Sequence, residues 1–265
     1  MSNAAKSTSE VVRLDPWQEL RRFTHARIAL GRAGNSLPTD EVLRFGLAHA
    51  GARDAVHWPL DAAELEQALS SSGWRTLRVH SQAADRAIYL LRPDFGRRLS
   101  EASAALLAQH AGAECDLLFV AADGLSALAV QRHVLPLLDA VRTLLPPAWS
   151  VGPVVIAEQS RVALGDEIGQ LLRARIVVML VGERPGLSSP DSLGVYLTFA
   201  PQVGRSDAER NCISNVRPQG LEYPLAAKKL VWLLTEARRR ELTGVALKDA
   251  SDALTDGDLV VNKRP

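Results

Sequence analysis

Short runs that are apolar at nearly every position alternate with helix-period segments along most of the chain. This constrains the fold more than any other feature. Asp116–Ala121, Pro153–Ala157, Ile176–Val181 and Gly194–Phe199 read as strands, and so does the earlier run Asp85–Leu91. Between and after them, Leu99–His110, Ala127–Leu145 and Ala163–Leu172 read as helices, and Glu222-Tyr223-Pro224 opens a last helix through Leu242. Strands without polar alternation are buried on both faces, and interleaved helices are what covers those faces. With short connections and βαβαβ order, the expectation is an α/β fold: a Rossmann-like, mostly parallel sheet with flanking helices.

A smaller helical N-terminal region precedes the sheet. Asp15 caps and Pro16 suits the first helical position, so a helix is expected from there to Leu30, stopping near Gly31–Asn35. Ser36–Thr39 opens a second helix through Val42, Phe45, Leu47 and Ala48, and Asp61–Leu69 is a further amphipathic stretch. The expected organisation is a mobile tail at 1–12, a helical region at 13–80, a sheet domain at 81–248 and a C-terminal tail at 249–265.

Composition removes several function classes. The 265 residues carry 31 basic and 30 acidic side chains, a net charge of +1, so no nucleic-acid footprint is expected. The longest apolar runs, such as Ile176–Val181, fall far below the roughly 20 residues needed to span a bilayer. The N-terminal ten residues have no apolar core of the signal-peptide kind, so a cytosolic location is expected. Cys115 and Cys212 read as two reduced thiols. The six histidines lack zinc-site spacing, and no protein-ligated metal is expected.

Three polar loops follow strands: Asp123-Gly124-Leu125-Ser126, Glu158–Val162 and Gly182–Gly186. Parallel strands place all three at one edge of the sheet, where open α/β sheets bind ligands. No Gly-x-Gly-x-x-Gly follows a strand, no Walker loop occurs, and Ser126 is not in Gly-x-Ser-x-Gly. No catalytic pair can be read from spacing. Arg97-Arg98 stands at the start of a helix, where the dipole disfavours cations, and this mismatch points to a ligand or partner.

The ordered set Leu20–Gly34, Arg92–Leu99, Asp123–Ser126, Arg161-Val162 with Asp166–Gly169, Val181–Leu187, Asp191–Leu193 and Cys212–Asn215 resembles the small (light) subunit of bacterial ethanolamine ammonia-lyase. The resemblance implies a subunit of an adenosylcobalamin-dependent carbon–nitrogen lyase, converting ethanolamine to acetaldehyde and ammonia by a radical route. It implies a hetero-oligomer in which a large TIM-barrel subunit holds the substrate and the catalytic groups. It also implies that the small subunit clasps cobalamin through positions matching Val162, Glu183 and Cys212. Cobalamin brings its own cobalt and lower ligand, so none of these is a metal ligand. Members with a longer N-terminal extension enter a bacterial microcompartment; here Lys6–Arg13 is too short for an amphipathic targeting helix. The competing expectation is a structural assembly subunit of a large complex with no cofactor contact.

Overall fold

The computed structural model describes residues 11–251. Residues 1–10 of the expected N-terminal tail and 252–265 of the expected C-terminal tail lie outside the described residues. The described residues divide into two compact units: one of residues 11–54 together with Gly186–Ser189, the other of Ala55–Pro185 with residues 190–251.

In the first unit the backbone groups of Arg13 and Arg32 exchange hydrogen bonds of 2.7 and 2.9 Å. Gly31, at φ +77°, makes this possible, since a Cβ there would stand 2.7 Å from Arg13 O. The expected helix from Asp15 to Leu30 is a correction: only a 3₁₀ turn forms, Gln18–Phe23, and none of its residues is buried. A short helix needs tertiary burial of its apolar face, and this segment has none. The second expected helix is present as α1, Thr39–His57.

In the larger unit α2 spans Ala62–Ser71, with Asp61 accepting from Glu64 N. The strands are β1 (Thr76–His80), β2 (Cys115–Ala122), β3 (Val154–Glu158), β4 (Ala174–Gly182), β5 (Leu193–Phe199) and β6 (Asn211–Val216). The remaining helices are α3 (Arg86–Leu91), α4 (Glu101–Gln109), α5 (Ala127–Leu144), α6 (Leu164–Leu171) and α7 (Tyr223–Arg240). Asp85–Leu91 is a second correction. Asp85 caps Ile88 N at 2.8 Å and turns the run into α3, with Tyr89 fully buried. A short apolar run cannot be assigned by periodicity alone, and the cap decides it.

The six strands lie in the order β1-β3-β2-β4-β5-β6. β1, β3, β2 and β4 are parallel, and only β5 runs against the others. This is the expected α/β class with a mostly parallel sheet. Leu117, Phe119, Ala121, Ile176, Val178 and Leu180 join the core under α2, α5 and α7. Their neighbours Leu118, Val120, Ala122, Val177, Met179 and Val181 join a second core under α4 and α6. Both faces of β2 and β4 are therefore apolar, as the unbroken runs require. No helix among the described residues is long and apolar enough to cross a membrane.

Candidate functional site at the reversal of strand order

From β2 the chain passes to β3 on one side and then back to β4 on the other. Such a reversal opens a crevice outside the C-terminal ends of the strands. All three polar loops meet there. Asp123, just past β2, is buried, and its two oxygens each accept at 2.9 Å, from Gln159 N and Ser160 N in the loop after β3. Burial raises the Asp123 pKa, against the pull of these N–H groups and of the Arg86 guanidinium. Leu125 N donates to Gly182 O at 2.8 Å, joining the first loop to the third. Gly124, at φ +55°, and Gly182 approach so closely that a Cβ on either would overlap the facing backbone.

Tyr89 sits under the second loop. Its hydroxyl donates to Ser160 O at 3.2 Å, and the guanidinium groups of Arg86 and Arg161 lie 4.8 and 4.2 Å from its ring centroid. Arg161 Nε and Gln159 Oε1 are buried and have no hydrogen-bond partner among the described residues.

A cavity of about 190 Å³ opens above these loops, with Val162, Val181, Glu183, Arg161 and Tyr196 in its wall. Glu183 uses its two oxygens differently. Oε2 accepts from Ser192 Oγ and, at 3.2 Å, from Asn215 N. Oε1 accepts from no described residue and remains an open acceptor. Gly194 creates this arrangement, because a Cβ there would stand 3.0 Å from Glu183 Cγ and 3.1 Å from the Tyr196 ring. Cys212 on β6 is the cross-strand partner of Tyr196 on β5 and is exposed. Burial raises the Tyr196 pKa, and the neighbouring Cys212 thiol and Glu183 carboxylate push it further up.

Val162 and Glu183 thus share one wall, and Tyr196 links them to Cys212, which stands outside the cavity lining. Tyr196, Gly194 and the loop clamp at Asp123 are not among the site features expected from the sequence. Gly194 and Tyr196 are two apart on a strand and so face one way, which is the signal that could have found them.

Taken with its fold, the crevice marks an α/β protein with a candidate ligand site at its strand-order reversal. The sequence model of one family, Ethanolamine ammonia-lyase light chain (EutC), matches residues 14–248. A protein of Azotobacter vinelandii named ethanolamine ammonia-lyase small subunit is 59% identical over 249 residues, covering 92% of this chain and 92% of its own. Proteins of the same name from Pseudomonas paraeruginosa and Ralstonia nicotianae are 57% and 56% identical, covering 92% and 95% of this chain and 91% and 95% of their own. The chain belongs to the ethanolamine ammonia-lyase light-chain family, and so is a lyase subunit.

Proposed function

We propose that this chain is the cofactor-clasping small subunit of an ethanolamine ammonia-lyase, which converts ethanolamine to acetaldehyde and ammonia. Its cofactor is adenosylcobalamin, held through Val162, Glu183 and Cys212 at an interface with a large TIM-barrel subunit. The observation that carries this reading is Glu183: one oxygen is fixed by Ser192 and Asn215, and the other is left as an open acceptor. The corrin rim carries amide side chains, which donate to such an acceptor. Val162 offers apolar contact to the ring, and Cys212 packs as a small, soft side chain.

Size supports an interface site. The cavity of about 190 Å³ is smaller than pockets that enclose small ligands, which start at roughly 300 Å³. A ligand as large as cobalamin enters it by an edge only, so a second chain is needed to cover the rest. When bound, the cofactor supplies the radical chemistry of the reaction. This chain's residues hold the corrin edge, orient it and exclude water from it. The substrate and the groups that act on it belong to the large subunit, and the assembled enzyme is cytosolic.

Co-expression with a large subunit and adenosylcobalamin should yield acetaldehyde from ethanolamine, and this chain alone should yield none. Glu183→Gln should lower cobalamin retention, read by equilibrium dialysis, while leaving the unfolding midpoint in place. Full activity and cobalamin affinity of the large subunit without this chain would leave only the structural-assembly role.

A further inference from the structure

A second cavity, of about 520 Å³, adjoins the first and shares Arg161 and Val162 with it. Arg97, Arg98, Ala163 and Asp166 also line it. Its acidic groups are already engaged. Asp166 is buried and receives Arg210 Nη1 and Nη2 at 2.7 Å each. Asp207, the other carboxylate of the lining, lies 3.6 Å from Arg210 Nε; beyond the lining, Glu209 pairs with Arg205, and Glu167 Oε2 accepts from Leu99 N at 3.0 Å. The side chains of Arg97 and Arg98, by contrast, have no ion pair or hydrogen bond among the described residues. Arg161 donates through Nη2 to Tyr89 O at 3.2 Å, but its buried Nε has no partner.

The backbone adds to this positive field. α6 begins after Ala163, which cannot cap it with a side chain. The N–H groups of Val162 and Ala163 donate to no described residue and face the side of the helix where the dipole favours anions. The turn bearing the two free arginines is built to lie against Arg161: Arg161 N donates to Gly96 O at 2.8 Å, and a Cβ on Gly96 would stand 2.8 Å from Arg161 Cγ. The structure therefore gathers three guanidinium groups and two open N–H groups round one cavity beside the Glu183 acceptor. Planar guanidinium pairs are suited to phosphate oxygens.

We propose that this cavity is a phosphate-ester subsite, and that the ester it takes is the phosphodiester in the nucleotide tail of cobalamin. The proposal rests on the cofactor reading above. Cobalamin combines an amide-bearing rim with one fixed anion on a tether, and the two adjoining cavities offer an acceptor and a cationic cluster in the same combination. Free phosphate shares the anion chemistry, so the test separates the two sources.

The test uses the full chain assembled with its large subunit, with affinity read by equilibrium dialysis and corrinoid absorbance. Adenosylcobalamin is compared with adenosylcobinamide, which lacks the phosphate and nucleotide. The variant Arg97→Ala/Arg98→Ala should weaken cobalamin by about tenfold or more and leave cobinamide unchanged. Arg97→Lys/Arg98→Lys should recover part of the loss, and the thermal midpoint should report an intact fold for both. Excess inorganic phosphate at fixed ionic strength should compete with cobalamin and not with cobinamide. Equal weakening of both corrinoids, or of neither, overturns the subsite. Phosphate that binds the assembly yet competes with neither corrinoid overturns the nucleotide tail as its source. Failure of the wild-type assembly to hold either corrinoid overturns the cofactor reading, and the subsite with it. Glu183→Gln should weaken both corrinoids alike, which keeps the two sets of results distinct.

Discussion

Asp123 reaches across the crevice to Ser160: its Oδ1 accepts the Ser160 N–H at 2.9 Å, and its Oδ2 takes that of Gln159. The contact holds the loop that leads to Val162, including Gln159 in the left-handed region at φ +53°. An amide can accept through one atom only, so Asp123→Asn leaves one buried N–H without an acceptor. The expected cost is about 2 kcal/mol, measured by urea denaturation. Faster amide exchange at Gln159, Ser160 and Arg161 should accompany it, and unchanged exchange there would show that the carboxylate does not govern the loop.

Gly124→Ala combines a strained φ with overlap onto Gly182 O. Roughly 3 kcal/mol of destabilisation is expected, large for a single methyl group. Gly34→Ala makes the fitting control: it too has positive φ, +62°, but nothing lies within 4 Å of its Cβ position. A smaller loss for Gly34→Ala, read from denaturation midpoints, would separate the contact from the backbone strain.

Gly194→Ala should displace the Glu183 side chain, 3.0 Å from the new Cβ, with little harm to a strand already paired on both sides. Corrinoid affinity of the assembled enzyme should fall by about tenfold while the thermal midpoint moves little. In the same assembly a bound corrinoid should shield Cys212 from alkylation by iodoacetamide, followed by mass spectrometry. Equal labelling with and without corrinoid would remove Cys212 from the contact set.

His133 on α5 is buried, with Nδ1 2.8 Å from Tyr223 Oη and Nε2 3.5 Å from Asp191 Oδ2. Burial lowers its pKa by more than Asp191 raises it. The unfolded chain then takes up this proton at a higher pH than the folded one, near pH ~6.5. Stability from this group is complete above that pH and is lost as pH falls through the folded value. Denaturation midpoints measured across this range should decline toward acid, and His133→Gln should flatten the decline.

The legible parts of the sequence were those where one physical cause acts alone. β2, β3 and β4 are buried on both faces, so apolar runs mark them without ambiguity, and the loops behind them fall at one edge by topology. β1 and β6 lie at the sheet's margins and carry weaker patterns. In β1 only Val79 is fully buried. In β6 the core residues Ile213 and Val216 are three apart, because the pairing with β5 shifts register and Asn215 takes φ +60°. A bulge of this kind erases the two-residue alternation that announces a strand. α3 was hidden because a short helix and a short strand share an apolar signature, leaving Asp85 as the discriminating mark. The loops that carry Val162 and Glu183 were legible from their places after strands, while the choice of these two residues within them came from the family resemblance alone. Tyr196 was not legible, because its role comes from a cross-strand neighbour that no local pattern reveals.

The reversal of strand order also has a consequence in time. As the chain is synthesised, β2 is made before β3 and β4 and lacks its second neighbour until β4 has been made and the chain has crossed back past β2. The contact of Leu125 with Gly182 and the Ser126 hydroxyl's bond to Pro190 O span this interval, whereas the Asp123 clamp needs only β3. Closing such loops is slow relative to local helix formation. The crevice is therefore assembled late: a nascent chain with its helices in place still lacks it until the last of these long-range contacts has formed.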